Sequence, residues 1–382
     1  MKSIYMDYAA TTPVDPRVRQ AMEPFWTEQF GNSSSGHTTG QNAARVIESA
    51  RQNIANMLNA RPEEIIFTGS GSESDNMAIK GIASSLKDKG NHIITTNIEH
   101  NAVLKTCEYM KTEGYKVTFV PVAENGIVKI DDIKKAISQK TVLISIMHAN
   151  NEIGTIQPVQ EIGKLARENK IFFHTDAVQT FGHIPIDVRE MNIDALSISA
   201  HKLYGPKGVG VFYLRNHVPF TPLIHGGGHE EGRRSSTQNT PGIVGLAKAV
   251  DIARKEMQEE KKRLTEYRNR LWQIIQDRIE DVHMNGDPQK RLPNNLNISI
   301  EKVEGESLLM NLDMEGIAVS SGSACSSGSG KPSHVLTALN LPDNLLRGSL
   351  RITIGKYTSE EEIMQTAKKL SSVVAHLRSL SS

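Results

Sequence analysis

The chain has 382 residues, a length at which one large domain and a smaller one are expected. Its 38% hydrophobic and 23% charged residues are typical of an ordinary globular protein. The 44 basic and 43 acidic residues give a formal net charge of +1, too small for the long-range field that captures nucleic acid or anionic lipid, so neither partner is expected.

Short β-rich runs alternate with helical patterns along the first half of the chain. This alternation is typical of βαβ units around a mostly parallel sheet. The spacing predicts strands over 63–68, 91–96, 140–147, 171–175, 194–200 and 208–215, and helices over 73–87, 99–114 and 158–170. Ser70 and Glu73 fit a Ser-x-x-Glu capping box at the start of the first helix.

The second half begins with a glycine-rich stretch at 225–237 and a long charged helix predicted over 246–280. After it the pattern is α+β, with strands at 294–300, 316–321 and 350–355 and a last helix at 359–380. The opening segment, before about Pro13, is extended and is expected to pack with this C-terminal region. We therefore expect a large domain over 14–255 and a small domain made of 1–13 and 256–382.

The two cysteines lie in different settings. Cys107 falls in an amphipathic helical pattern, which favours a small buried apolar side chain. Cys325 lies in a Ser/Gly loop without apolar periodicity, which indicates a reactive thiol, the alternative being an unimportant thiol in a surface linker. Two cysteines make no secreted disulfide framework, and Asp7 interrupts the short apolar opening, so a cytoplasmic location without a membrane partner is expected.

Unusual polar residues follow the ends of successive predicted strands. They are Gly71 with Ser72, His100, Asn151, Asp176 with Gln179, and His201 with Lys202. Because ligand sites of parallel sheets lie beyond the carboxyl ends of the strands, these groups should meet at one edge. Pyridoxal phosphate (PLP) needs such a set: a lysine for the Schiff base, an acid for the pyridinium nitrogen and a helix N-terminus for the phosphate.

Each of these residues also has an ordinary structural explanation. The Gly/Ser stretch fits a common strand-to-helix turn, and Asp176 fits a helix N-cap. His100 is explained equally by a structural histidine, and Lys202 by a solvated lysine of a loop. A metal site at His174 and Asp176 is the weaker interpretation, because the two lie on one strand face with no third ligand nearby in sequence. The joint arrangement carries the cofactor prediction.

The motifs together resemble the cysteine desulfurases of the NifS/IscS type, within the class V aminotransferase group of PLP enzymes. The resemblance runs from end to end through YMDYAATTPVDPRV, FGNSSSGHTTG, FTGSGSESDNMAIKG, IEHNAV, HANNEIGTIQP, HTDAVQ, SISAHKLYGPKGVG, HGGGHEEGRRSST, SSGSACSSG and LRITIG. It implies an α/β, type I PLP-dependent transferase fold with a smaller α+β C-terminal domain. It also implies a homodimer.

The resemblance implies a role for each candidate residue. Lys202 would carry the Schiff base, Asp176 would pair with the pyridinium nitrogen and Gln179 with the ring hydroxyl. His100 would stack on the ring and help to move protons. The phosphate would be held by Gly71, Ser72, Ser199 and His201, with Thr237 reaching the phosphate of the partner subunit. Arg351 with Asn151 would hold the substrate carboxylate.

The implied activity is removal of sulfur from L-cysteine, which leaves L-alanine and a persulfide on Cys325. Lys202 is expected to remove the Cα proton, and His100 to take the thiol proton of Cys325. The sulfur would pass to an iron–sulfur scaffold or another acceptor, and Cys325 itself is a possible iron–sulfur ligand. The alternatives are a selenocysteine lyase, another class V transaminase and a non-catalytic scaffold.

Two places depart from the common pattern of the family. Ser33 stands where proline is usual, which is expected to alter a loop rather than the chemistry. Leu346-Arg347 stands where relatives often carry Ala-His, and an additional arginine there bears on loop docking or on the choice of partner.

Overall fold

The computed structural model describes residues 3–321 and 332–380. The strands in these two ranges are numbered in chain order. They are β1 (Ile4–Tyr5), β2 (Ile65–Thr68), β3 (His92–Thr96), β4 (Lys116–Val120), β5 (Thr141–Ser145), β6 (Phe172–Asp176), β7 (Ala195–Ser199), β8 (Gly210–Leu214), β9 (Val282–Met284), β10 (Asn295–Ile300), β11 (Ile317–Ala318) and β12 (Ser349–Thr353). The strands predicted from the sequence are confirmed, whereas β4 and β9 were not predicted.

The helices are α1 (Pro16–Met22), α2 (Pro24–Thr27), α3 (Thr38–Leu58), α4 (Gly71–Asn76), α5 (Ile82–Ser85), α6 (Asn101–Thr112), α7 (Ile130–Ala136), α8 (Val159–Glu168), α9 (Thr240–Arg278), α10 (Gly305–Met314), α11 (His334–Ala338), α12 (Asp343–Arg347) and α13 (Glu360–Leu380). A π-helical turn (Met77–Gly81) joins α4 to α5, so helical backbone continues from 71 to 85. Within the two described ranges, no helix combines the length and the apolar character that crossing a membrane requires.

A seven-stranded sheet in the order β2-β8-β7-β6-β5-β3-β4 forms the centre of the molecule. β8 runs antiparallel to both of its neighbours, and the other pairings are parallel, which confirms a mostly parallel sheet. Alternate residues of each strand face opposite sides, so Ile94 and Ile144 join one apolar cluster while Ile93 and Leu143 join another. Burial on both faces explains why these strands are continuous apolar runs.

A smaller sheet in the order β12-β10-β9 is antiparallel and lies among the C-terminal residues. The opening segment joins it: β1 pairs with β11, and Asp7 forms a bridge with Thr353. Ile4 and Met6 are buried in the apolar cluster of this region. The expectation that the opening segment packs with the C-terminal region is therefore confirmed.

The long helix α9 contributes to two apolar clusters. Ile243 and Leu246 near its beginning pack with the central sheet, whereas Leu271 and Ile275 near its end pack with the C-terminal sheet. It begins at Thr240, six residues earlier than the sequence pattern predicted, because the side chain of Asn239 accepts a hydrogen bond from the Gly242 N–H as its cap.

The short helix α11 belongs to the core of the central sheet, although it follows the C-terminal strands in sequence. Val335, Leu336 and Leu339 lie in the same cluster as the large sheet. The C-terminal part of the chain therefore returns to the large core before β12.

Candidate active site

A cavity of about 300 Å³ lies beyond the carboxyl ends of the parallel strands. It brings together ten of the predicted residues, which come from many parts of the chain: Gly71, Ser72, His100, Asn151, Asp176, Gln179, Ser199, His201, Lys202 and Arg351. Parallel strands end at one edge of a sheet, which explains why the residues between Gly71 and Lys202 share one cavity, whereas Arg351 reaches it from β12 of the smaller sheet.

The start of α4 forms one wall of the cavity. The Ser70 hydroxyl caps the helix by accepting a hydrogen bond from Glu73 N at 3.1 Å. The Glu73 carboxylate accepts from Gly69 N at 2.7 Å rather than from Ser70 N, so only half of the predicted capping box forms. A Cβ at Gly71 would lie 2.6 Å from Val178 Cγ2, which requires glycine here.

The Lys202 amine is held by the backbone of the opening segment. Lys202 Nζ donates to the carbonyl oxygens of Ala9 at 2.5 Å and Ala10 at 2.8 Å. Gln179 Nε2 also donates to the Ala9 carbonyl, at 3.0 Å. Sequence reasoning missed Ala9 and Ala10, because a backbone carbonyl leaves no signal in the identity of the residue.

Asp176 and His100 are ionisable groups of the cavity floor. Burial raises the pKa of Asp176, while His100 and Lys202 act in the opposite direction. Burial lowers the pKa of His100, which therefore stays neutral near pH 7. His100 Nδ1 accepts a hydrogen bond from Ala102 N at 3.1 Å as the N-cap of α6, so the proton of the neutral ring is on Nε2.

Asp75 is a buried carboxyl group of the cavity that the sequence did not single out. Burial raises its pKa well above the usual range, and the charge of neighbouring Asp176 raises it further, so both effects favour the neutral form of Asp75. Its Oδ1 has no hydrogen-bond partner among the described residues and lies 3.7 Å from Nε2 of His174. The His174 ring is itself bonded to the hydroxyls of Ser145 and Ser197, which accounts for its position without a metal ion.

Two further buried acids lie beside the cavity. Burial raises the pKa of Glu99 to about 8 and that of Glu152 to about 7. Glu152 accepts a hydrogen bond of 2.5 Å from the hydroxyl of Ser333, which also caps α11. In the sequence, Glu99 and Glu152 are recognisable only as polar residues that follow predicted strands. That position does not distinguish a buried acid from an exposed one.

Arg351 projects from β12 into the cavity and is almost fully buried. Its Nη2 donates to Asp7 Oδ1 at 2.8 Å, and its Nη1 donates to the backbone carbonyl of Asn151 at 3.1 Å. Its Nε has no hydrogen-bond partner among the described residues. Asp7, which the sequence offered only as an interruption of an apolar stretch, is thus a direct neighbour of the site.

One predicted site residue does not line the cavity, and another lies outside the described residues. Thr237 is exposed and does not line it. Cys325 lies in 322–331, outside the described residues. Both flanks of that segment reach the cavity: Ser320 is paired with Arg351 through two backbone hydrogen bonds, and His334 lines the wall and donates from Nε2 to the carbonyl of Glu99 at 3.0 Å.

The remaining sequence features have structural roles. Cys107 is fully buried in α6 and its pKa is raised to about 12 by burial, as expected for an inert thiol. The Ser33 hydroxyl donates to Gln238 Oε1 at 2.6 Å and so joins two loops. Leu346 is buried in the large core, whereas Arg347 is exposed and lies 4.0 Å from Glu304.

The cavity fits PLP in its chemistry and its size. It offers an amine at Lys202, a carboxyl group at Asp176 and the N-terminus of a continuous helix at Gly71. Gly71 leaves room for the side chain of Val178, which also lines the cavity, because a Cβ at Gly71 would lie 2.6 Å from Val178 Cγ2. The Nε–H of Arg351 and the Oδ1 atom of Asp75 are buried and have no hydrogen-bond partner among the described residues, as expected where a polar ligand binds.

Comparison with known proteins agrees with this site. Residues 4–365 match the family model for aminotransferase class-V. A cysteine desulfurase IscS from Dictyoglomus turgidum is 52% identical over 380 residues, which cover 100% of this chain and 96% of that protein. Another from Clostridium botulinum (strain Hall) is 52% identical over 382 residues, with the same coverage of both chains.

Solved structures give the same result. A NifS-like protein is 40% identical with a TM-score of 0.92, covering 98% of this chain and 100% of its own. SspA in complex with cysteine is 39% identical with a TM-score of 0.83, covering 94% of this chain and 100% of its own. The predicted type I fold is therefore confirmed. The chain belongs to the class V aminotransferase family and, within it, to the cysteine desulfurases of the NifS/IscS type, which use PLP to remove sulfur from L-cysteine.

Proposed function

We propose that this enzyme transfers the sulfur of L-cysteine to Cys325 as a persulfide, from which an acceptor protein takes it. The observation that carries the proposal is the attachment of both flanks of 322–331 to the cavity, through Ser320 beside Arg351 and through His334 in the wall. Thirteen residues separate the two anchors, Ser320 and His334, and Cys325 is only five residues from the first, a chain length that allows its thiol to reach the substrate.

The cavity residues would hold and tune the cofactor. Bound PLP supplies the carbonyl that captures the substrate amine and a ring that accepts electrons from the reacting carbon. Lys202 would anchor it, Asp176 would keep the ring nitrogen protonated and Gln179 would bond the ring hydroxyl. The phosphate would lie on the groups at the start of α4 and the end of β7, namely Gly71, Ser72, Ser199 and His201.

Lys202 would also move a proton. Its amine takes the Cα proton of the substrate, and the resulting ammonium group is stabilised by the carbonyls of Ala9 and Ala10, which already accept its hydrogen bonds. The substrate carboxylate would be held by Arg351, next to Asn151.

The thiolate of Cys325 would attack the sulfur of the bound cysteine. A new S–S bond forms, the bond between that sulfur and Cβ breaks, and its electron pair remains on the carbon skeleton, which becomes alanine after protonation. His100 would receive the thiol proton. Because its Nδ1 caps α6 and its Nε2 carries the proton, the ring accepts the thiol proton at Nδ1 once that cap is released.

We further propose a homodimer in which Thr237 reaches the phosphate of the partner subunit. Thr237 is exposed and does not line the cavity of its own chain, and its loop contacts the loop after α2 through the Ser33–Gln238 hydrogen bond. Trp26 and Phe30 close to that loop are 60% and 70% exposed, which is unusual for aromatic side chains unless another surface covers them. Mass measurement in solution, with Trp26→Asp and Phe30→Asp expected to give monomers, tests this assembly.

We also propose that the chain forms two domains. The separate apolar clusters support a large domain over 14–255 and a small one made of 1–13 and 256–382. The packing of Val335 and Leu336 on the large core indicates that the part after 331 is shared between them.

A reducing cytoplasm is the location that keeps Cys325 available as a thiol, and the acceptor would be an iron–sulfur scaffold or another sulfur carrier.

The experiment compares Cys325→Ser with the matched control Cys107→Ser in the holoenzyme. Cys325→Ser should keep the cofactor absorbance and its shift on addition of cysteine, but lose the persulfide seen by mass spectrometry and the release of alanine. Cys107→Ser should keep all four. Alanine release at the parent rate from Cys325→Ser would refute the role of Cys325.

A further inference from the structure

Asp7 is held firmly beside the substrate-binding arginine by the backbone of the small sheet. It forms a bridge with Thr353, whose N–H donates to the Met6 carbonyl at 2.8 Å and whose Oγ1 accepts from Ala9 N at 2.9 Å. The hydroxyl of Tyr5 also donates to the Asp7 carbonyl, at 3.0 Å. The position of the Asp7 carboxylate is therefore set by the fold rather than by its ion pair alone.

The ion pair between Asp7 and Arg351 is largely withdrawn from water. The side chain of Arg351 is 2% exposed and that of Asp7 is 17% exposed, and the two groups approach to 2.8 Å. Asp7 takes one of the five N–H donors of the guanidinium group and the Asn151 carbonyl takes another, which leaves the rest, including Nε–H, for a ligand.

A substrate carboxylate that binds Arg351 must therefore share the guanidinium group with the carboxylate of Asp7, which belongs to the protein. Two carboxylates on one cation repel each other, and the repulsion is strong where water is scarce. A weaker contact between Arg351 and the α-carboxylate would help turnover, because L-cysteine and the product L-alanine present the same α-carboxylate. Tight binding of that group would slow the release of product as much as it favoured the binding of substrate.

We propose that Asp7 is a positioning residue that holds Arg351 in place and sets a deliberately weak affinity for the α-carboxylate of substrate and product. The inference rests on the proposed role of Arg351 as the carboxylate ligand. Asp7, as a fixed internal counter-ion, sets the strength of the contact between Arg351 and the α-carboxylate. It therefore governs KM and product release rather than bond cleavage.

The test measures the holoenzyme of Asp7→Asn, which keeps the shape and removes the charge. The KM for L-cysteine and the inhibition constant of L-alanine should both fall, roughly tenfold, as expected for loss of one like charge from a desolvated site. The kcat should not rise, because alanine leaves more slowly. Inhibition by L-alaninamide, which lacks the carboxylate, should not change. Asp7→Glu restores the charge and should return KM towards the parent value.

Two variants separate this inference from a structural effect and from the proposed function. Asp15→Asn removes a buried carboxylate from another ion pair of the N-terminal region, with Lys356 at 3.0 Å, and should leave both constants unchanged. Arg351→Gln should raise both constants, and if it does not, the proposed role of Arg351 is wrong. If it does, but Asp7→Asn leaves both constants unchanged or raises them, only the inference about Asp7 is overturned.

Asp7→Ser is measured in parallel in case Asp7→Asn does not fold, with the same result expected. Failure of both variants to fold, judged by circular dichroism, would show that the ion pair serves stability and would also overturn the inference.

Discussion

Arg51 on α3 and Glu230, seven residues before Thr237, form an ion pair of 2.7 Å whose two side chains are only 8% and 1% exposed. Glu230 also accepts the N–H of Phe67 at 3.0 Å, and the Arg51 guanidinium lies 4.8 Å from the centre of the Phe67 ring. The backbone of Glu230 has a φ of +51°, a conformation that non-glycine residues seldom adopt, so the pair holds the loop in a strained shape.

We expect Glu230→Gln to destabilise the protein by about 3–5 kcal/mol, because it removes the buried counter-ion of Arg51 and leaves only the exposed carboxylate of Glu48, at 3.0 Å. The loss is measured as the free energy of unfolding in denaturant, together with retention of the cofactor, since the loop carries Thr237. Removing both charges in Arg51→Met with Glu230→Gln should recover part of the loss.

The exposed pair Arg254–Asp251 provides the control for this prediction. Asp251→Asn should change stability by less than about 0.5 kcal/mol, as is usual for surface pairs. An equal effect of Glu230→Gln and Asp251→Asn would contradict a special role for the buried pair.

The residues at the strand ends were predictable from sequence because the fold itself brings them together. A parallel sheet places the carboxyl ends of its strands at one edge, so His100, Asp176 and Lys202 needed only a correct assignment of strands to be placed in one cavity. Knowledge of the family motifs then supplied their chemical roles.

The contribution of the opening segment was not predictable in the same way. Asp7 and the carbonyls of Ala9 and Ala10 reach the cavity through pairing with β12, almost 350 residues later, and no local pattern reports such a contact. The packing of α11 on the large core escaped for a related reason. Its five residues are too few to show a helical period, and the tertiary contacts of Val335 and Leu336 decide where it lies.

The dual position of His100 allows its structural and chemical roles to be separated. His100→Asn keeps a side chain able to cap α6, whereas His100→Ala removes the cap and should cost roughly 0.5–2 kcal/mol in stability. Both variants should lose alanine release by on the order of a hundredfold, because neither supplies an imidazole. Thermal melting and steady-state rates check the two effects, and parent activity in His100→Asn would exclude a proton-transfer role.

The two buried carboxyl groups of the floor should respond differently to amide replacement. Burial and the neighbouring Asp176 raise the pKa of Asp75 and favour its neutral form, which the amide of Asp75→Asn imitates in charge and shape. We expect that variant to keep its cofactor absorbance and most of its activity. Asp176→Asn removes the charge that would face the ring nitrogen, and the rate should fall by on the order of a hundredfold with a changed absorbance spectrum. Equal losses in the two variants would contradict this division.

Glu99 should make the stability of the protein decrease as the pH rises. The Glu99 carboxyl is fully buried, and burial raises its pKa to about 8, from an ordinary value of about 4.3 in the unfolded chain. A raised folded pKa means that its contribution is fully present below about pH 4 and is lost progressively up to about pH 8, by at most about 1.4 kcal/mol per pH unit.

Glu99→Gln removes this titration while keeping an acceptor for the hydrogen bonds from Thr96 Oγ1 and Met147 N. Its free energy of unfolding should therefore match that of the parent near pH 4.5 and exceed it increasingly towards pH 8. Glu108→Gln, an exposed change on α6, should follow the parent at every pH. Parallel curves for Glu99→Gln and the parent would show that Glu99 does not hold a proton in the folded protein. A second buried acid, Glu152, with a pKa of about 7, also makes the free energy of unfolding fall with pH, but only up to about pH 7. Because Glu152 is present in both proteins, its contribution cancels in the difference between their curves. The difference therefore reports Glu99, and it should continue to grow up to about pH 8.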